Sequence, residues 1–219
     1  MKKALIIGAT GLVGSNCLKQ LLDDTRYAEV VALTRKKLDM NNPKLTNILV
    51  DFDKRETWAE YCRVDDVFSV MGTTIAVAGS KENFYKVDFT YPFEIAKTAK
   101  AMGAKQHILV SSLGADSKSS IFYSKVKGEI EEAVASIGFD TSVILQPSML
   151  LGDRKENRPA EKVGQMLFKK LGFLFAGPLS KYQGIKAETV AAAMIYFLNS
   201  GLSGNHVFEN KKIIETVNS

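Results

Sequence analysis

Lys2-Lys3-Ala4-Leu5-Ile6-Ile7-Gly8-Ala9-Thr10-Gly11-Leu12-Val13-Gly14-Ser15 runs from an apolar strand through a glycine-rich turn into the first turn of a helix. Gly8 lets the chain turn sharply off the strand, Gly11 removes a side chain where an anion must approach the backbone, and Gly14 lets the helix lie close to the sheet. The start of that helix offers free N–H groups and a partial positive charge. The stretch predicts the phosphate-binding turn of a dinucleotide fold, with Gly8, Thr10, Gly11, Leu12, Val13 and Gly14 as binding residues. Its spacing, G-x-x-G-x-x-G, is looser than G-x-G-x-x-G and takes its weight from the strand before it and the helix after it.

Outward from this turn, apolar runs alternate with helical patterns. Strands are expected at residues 4–7, 30–33, 48–50, 67–70, 107–110 and 141–145, and helices at 11–22, 57–61, 84–102 and 122–136. Gly103 and Gly138 end two of the helices, and Pro92 must either kink its helix or open the main segment. Such alternation means parallel βαβ units. The expected fold is α/β, a doubly wound parallel sheet of the Rossmann kind. It forms a single domain over 1–219, to which residues 147–219 add a small substrate-side or lid region. A helix at 190–198 is expected against the sheet.

The 219 residues suffice for one such domain with a full core. With 46% hydrophobic and 24% charged residues the composition is that of a soluble globular protein, and no apolar run is long enough for stable membrane insertion. Met1-Lys2-Lys3 leads straight into a strand, so no secretory signal is expected. Cys17 and Cys62 fall in predicted helices without metal-ligand spacing, which points to reduced thiols, no metal and a cytoplasmic location. The net charge of +5 is spread over short pairs such as Lys36-Lys37 and Lys211-Lys212 with acids interleaved, a solvated surface and not a nucleic-acid face.

In NAD-selective sites of this fold an acidic residue about 20 residues past the glycines binds the ribose 2′-hydroxyl. Thr34-Arg35-Lys36-Lys37 occupies that place. Arg35 offers a planar fork of donors to a 2′-phosphate and a stacking face to adenine, so NADP(H) is preferred and NAD(H) is admissible. Asp51 and Phe52 close the third strand at the height of an adenine edge; Asp51 either accepts from the adenine amino group or caps its own loop.

The strand ending Leu109-Val110-Ser111-Ser112 delivers two hydroxyls at the edge where open α/β sheets bind ligands. Tyr123-Ser124-Lys125-Val126-Lys127-Gly128-Glu129 follows, and on a helix Tyr123 and Lys127 share a face one turn apart. An ammonium beside a phenol favours the phenolate, whose ordinary pKa is about 10.

Gly8 to Gly14, Ser111-Ser112 and the Tyr123/Lys127 pair together resemble the short-chain dehydrogenase/reductase superfamily. Ser111 to Asp116, Tyr123 to Glu129 and Gly152-Asp153-Arg154-Lys155-Glu156-Asn157-Arg158-Pro159 resemble, more narrowly, the atypical group of the Tat-interacting protein oxidoreductases, an NAD(P)-binding, epimerase/dehydratase-like Rossmann branch. The resemblance implies that Tyr123 is the general acid, that Lys127 lowers its pKa and holds the nicotinamide ribose, and that Ser112, with Ser111 as the alternative, binds the substrate carbonyl. It also implies that Met71-Gly72-Thr73-Thr74 passes over the adenosine and phosphate part of the cofactor. Pro147-Ser148-Met149 would flank the nicotinamide. The chain departs from the pattern at Gln146, where related proteins often carry Arg, and its substrate part is much shorter than in nucleotide-sugar epimerases and dehydratases.

The function expected is therefore an NADP(H)-dependent oxidoreductase acting on a small carbonyl or alcohol. The alternative is an NADP(H)-binding regulator with weak or no turnover, working through a protein partner; a sugar-nucleotide epimerase or dehydratase is disfavoured by length. Arg154 or Arg158 either binds an anionic substrate group or belongs to an ion-paired loop. The apolar stretch 171–179 is read as cleft packing, with a homodimer contact or a membrane foot as alternatives.

Overall fold

The computed structural model describes residues 1–152 and 183–218. Its strands are β1 (Lys2–Ile7), β2 (Tyr27–Thr34), β3 (Leu45–Leu49), β4 (Asp66–Ser69), β5 (Gln106–Val110), β6 (Thr141–Gln146), β7 (Leu150–Leu151), β8 (Ile185–Lys186) and β9 (Gly204–Glu209). The helices before the sixth strand are α1 (Leu12–Asp23), α2 (Ile75–Ala78), α3 (Lys81–Tyr85), α4 (Tyr91–Ala101) and α5 (Phe122–Ala135). Helices Ala187–Leu198 and Asn210–Asn218 follow later in the chain.

In β1, Ala4 and Ile6 point to one face and Leu5 and Ile7 to the other, and all four are fully buried. A strand apolar on both faces needs cover on both, which is why it lies at the centre of a parallel sheet. Seven strands run in the order β3-β2-β1-β4-β5-β6-β9, every neighbouring pair parallel. On one face Ala4, Ile6, Phe68, Ile108 and Val143 pack against Val13, Cys17 and Leu21 of α1 and Val190, Met194 and Phe197 of the Ala187–Leu198 helix. On the other, Leu5, Ile7, Val31 and Val67 meet Ile95 and Ala99 of α4, while Leu109 and Ile144 meet Ile130 and Val134 of α5. Each fully buried aliphatic side chain contributes about 1.5–3 kcal/mol. The sheet is thus doubly wound, and the strand order reverses between β1 and β4. That switch point opens a crevice at the carboxyl ends of the strands.

The six expected strands are present within a few residues. Pro92 opens α4 in its first turn, where its missing N–H costs nothing, and Gly103 and Gly138 adopt φ of +102° and +82° just past α4 and α5. The helix expected at 57–61 is instead two 3-10 turns, Arg55–Thr57 and Ala59–Cys62. After Pro147 the chain returns to the main sheet through β9, an edge strand not anticipated from the sequence. β7 and β8 form a separate parallel clip, Leu150 opposite Ile185 and Leu151 opposite Lys186.

Candidate functional site

The glycines of the first turn are each constrained by a close approach. Gly8 has φ +83°, and a Cβ there would stand 2.5 Å from the Val70 carbonyl oxygen; one on Gly14 would stand 2.0 Å from the Gly8 carbonyl oxygen. The turn therefore presses on the end of β4 and on α1 at once. Gly11 donates its N–H to the Gly8 carbonyl at 3.0 Å, and α1 then begins with no acidic residue in its first turn and no side-chain cap. Its leading N–H groups face the crevice without a competing carboxylate. Thr10 is exposed, Leu12 half-buried, and Val13 is core, so Val13 can serve only through its backbone.

At the end of β2, Thr34 is buried, its hydroxyl donating to the Lys36 carbonyl at 2.8 Å and accepting from Asn47 Nδ2 at 2.8 Å. This turn leaves Arg35, Lys36 and Lys37 exposed. At the end of β3, Asp51 Oδ1 accepts from the Asp53 N–H at 3.1 Å and Oδ2 lies 3.6 Å from Lys54 Nζ. Of the two readings of Asp51, the loop-capping contact is made. The Phe52 ring is buried and stacks on Tyr91 at 5.5 Å, leaving its backbone for any ligand.

The core of the site is an ion pair that the sequence did not disclose. A single π-helical turn, Lys86–Thr90, joins α3 to α4 and turns Asp88 inward; such turns recur at functional sites. Lys127 Nζ lies 2.7 Å from Asp88 Oδ1, at an angle that makes the contact ionic and not a well-aligned hydrogen bond. Both side chains are almost wholly buried. Asp88 Oδ2 accepts from the Thr73 N–H at 2.8 Å, and a Cβ on Gly72 would stand 3.8 Å from Lys127 Nζ. The Gly72-Thr73 turn, Asp88 and Lys127 are therefore one unit. Burial disfavours the Lys127 ammonium, but the charges of Asp88, Tyr123 and Glu131 outweigh it and hold the group protonated above the ordinary lysine range.

Tyr123 stands one turn before Lys127 at the mouth of the site, 36% exposed, its ring against Phe84 at 5.7 Å. The helix start is fixed by the loop after β5. The Asp116 N–H donates to the Ser124 carbonyl at 3.0 Å, and a Cβ on Gly128 would fall 2.0 Å from the Ser117 nitrogen. Ser111 and Ser112 follow β5 with buried hydroxyls; that of Ser111 lies beside the Glu131 carboxylate, and that of Ser112 has no aligned partner among the described residues. Buried polar groups are ordinarily satisfied, so Ser112 marks where a polar ligand belongs.

At the end of β6, Gln146 Nε2 donates to both oxygens of Glu131, at 3.1 and 2.9 Å. Pro147 is buried, and Met149 gives its carbonyl to the Ile185 N–H at 2.9 Å. The structure brings together the glycine turn, Gly72-Thr73, Ser111, Ser112, Tyr123 and Lys127, with Pro147 and Met149 on the next strand end. Arg35 and Asp51 stand at the far ends of β2 and β3. Arg154, Arg158 and the stretch 171–179 lie outside the described residues. Asp88 and Glu131 are the residues sequence reasoning missed. Asp88 could have been found as the charged residue on the apolar helical face of Phe84, Pro92 and Ile95, and Glu131 as the residue one turn beyond Lys127.

A family model described as NAD(P)H-binding matches residues 8–200. The fungal mitochondrial protein fmp52 of Emericella nidulans is 38% identical over 180 residues, 78% of this chain and 77% of its own. Protein HTATIP2 of Rattus norvegicus is 36% identical over 218 residues, 97% of this chain and 88% of its own. Among solved structures, the UDP-glucose 4-epimerase of Thermotoga maritima superposes with a TM-score of 0.71 at 12% identity, covering 98% of this chain and 81% of that one, a likeness of fold alone. No helix among the described residues is long and apolar enough to cross a membrane. The chain belongs to the NAD(P)H-binding family, in the atypical short-chain dehydrogenase/reductase group with its HTATIP2 and Fmp52 relatives.

Proposed function

We propose that the protein is an NADP(H)-dependent oxidoreductase that interconverts a small carbonyl compound and its alcohol, with Tyr123 as general acid/base. The observation that carries this reading is the convergence of a buried, charge-held Lys127, a solvent-facing Tyr123 one turn away and two buried serine hydroxyls at a single strand edge, that of Ser112 without an aligned partner among the described residues. The acid-free start of α1 and the close-packed glycines fit a dinucleotide pyrophosphate. Exposed Arg35 at the end of β2, with no carboxylate beside it in the Thr34–Lys37 turn, favours a 2′-phosphate.

When bound, the nicotinamide supplies or accepts the hydride. Tyr123 gives its hydroxyl proton to the oxygen of the reduced carbon and takes one from the alcohol in reverse. Lys127, fixed by Asp88, holds positive charge beneath that hydroxyl and offers donors to ribose oxygens. Ser112 donates to the substrate oxygen, and Ser111 is the neighbouring alternative. The Gly72-Thr73 turn would line the adenosine side of a bound cofactor, and Pro147 and Met149 would flank its nicotinamide. The two cysteines are buried and free, which suits a reducing compartment. We place the protein in the cytoplasm, and subcellular fractionation decides between that and the mitochondrial location carried in the fungal relative's name.

Fluorescence titration with NADPH and NADH, in wild type and Arg35→Ala, tests the reading. Tighter NADPH than NADH binding that weakens about tenfold or more in the variant, with NADH unchanged, is expected. Equal binding of the two nucleotides by wild type would remove the NADP preference, and binding of neither would remove the oxidoreductase.

A further inference from the structure

One ammonium in the site serves two carboxylates. Asp88 meets Lys127 directly, and Glu131 stands one helical turn farther along α5, half-buried, with no cation in contact among the described residues. Its partners are neutral: Gln146 Nε2 donates to both carboxylate oxygens, and the buried Ser111 hydroxyl lies beside it. Those partners sit at the two strand ends that border the reaction. Ser111 follows β5 next to Ser112, and Gln146 closes β6 directly before Pro147 and Met149. Glu131 thus ties the helix of Tyr123 and Lys127 to both.

We propose that Glu131 is a positioning residue, its carboxylate holding Ser111 and the Gln146–Met149 strand end against the catalytic helix and releasing them when it takes up a proton. The proposal rests on the oxidoreductase reading of the same site. A carboxylate accepts a hydrogen bond about twice as strongly as a neutral group, so protonation slackens the tie without removing a single atom. The groups facing Glu131 are Lys127 and Glu132 on α5, Ser111 after β5 and Gln146 on β6, while Asp88 reaches it only through Lys127. Burial and Glu132 raise its carboxyl; Ser111, Gln146 and Lys127 oppose them, and the balance leaves it above the ordinary glutamate range. As pH falls, Glu131 therefore takes up its proton earlier than an ordinary glutamate does.

The test uses the full chain in wild type, Glu131→Gln and Gln146→Leu, with thermal unfolding to confirm that each folds. The Gln146 side-chain amide resonance, assigned by its loss in Gln146→Leu, is followed by NMR from pH 7.5 to 5. The NADPH dissociation constant is measured over the same range. The cofactor's own 2′-phosphate ionises near pH 6, so the difference between proteins is the quantity read. The amide is expected to titrate in wild type and stay flat in Glu131→Gln. The dissociation constant is expected to rise about fivefold more in wild type than in either variant. A flat wild-type amide, or one that moves equally in Glu131→Gln, overturns the proposal. Identical pH dependence of NADPH affinity in all three overturns the positioning role and leaves the oxidoreductase standing. A titrating amide with no NADPH binding at any pH removes the oxidoreductase reading, and the positioning role with it.

Discussion

Asp88 holds an ammonium on one oxygen and a backbone N–H on the other while almost wholly out of water. Removing one partner of such a pair strands the other, and Asp88→Ala is expected to cost about 3–5 kcal/mol in urea unfolding. The sequence signal for Asp88 is its place on the apolar face of Phe84, Pro92 and Ile95, and the π-helical turn is what aims it at Lys127. The proposed catalytic pair was easier to read, since Tyr123 and Lys127 share a helix face wherever that helix lies. Tyr123→Phe is expected to lower turnover by about a hundredfold or more with NADPH affinity within about twofold of wild type. Full turnover in that variant on an identified substrate would refute the assignment. Asp51 shows the limit of such reading: an Asp after a strand suits a ligand or its own turn equally, and the Asp53 N–H contact was decided by the local backbone.

Between β5 and α5, the loop after Ser112 lies against the helix at Gly128, where any Cβ would collide with the Ser117 nitrogen and the Asp116 carbonyl carbon. Both are backbone atoms and cannot rotate aside. Gly128→Ala is expected to cost about 1–3 kcal/mol and to lower turnover beyond its effect on stability, by shifting Ser111 and Ser112 relative to Lys127. A thermal melt beside a steady-state assay at a temperature where the variant stays folded separates the two effects. Five of the first six strands were legible as apolar runs buried at the middle of the sheet, and the edge strand β3 only through its Ile48-Leu49 end. β9 was not, because an edge strand beginning Gly-Asn-His exposes alternate residues and lacks that apolar run. β7 and β8, two residues each, carry no periodicity to read.

For the molecule as a whole, buried ionisable groups set the pH dependence of stability. His107 is fully buried in β5, its Nε2 2.9 Å from Ser69 Oγ and its ring stacked on Phe139 at 5.2 Å. Burial pulls its pKa down to about 3, against about 6.5 in the unfolded chain. The unfolded state therefore binds the proton first: the His107 contribution is complete above pH 6.5 and is lost as pH falls towards 3. Urea midpoints should drop over that window with a slope of up to about 1.4 kcal/mol per pH unit, and less steeply in His107→Gln. Glu131 and Asp66, both raised by burial, act in the opposite sense as they take up protons, so the variant comparison isolates the histidine.

The β7–β8 clip holds Leu150 beside Ile185 and Leu151 beside Lys186, two points far apart in the sequence. All seven strands of the main sheet are built from residues up to Gln146 and from Gly204 onward. Joining Gly152 to Gln183 with a short Gly/Ser linker is expected to preserve folding and NADPH binding, since the clip already holds the two ends side by side and connection length changes closure entropy by only about 0.6 kcal/mol per halving. The clip is then a graft point, where a connection of different length or sequence can be inserted without re-registering a strand of the main sheet.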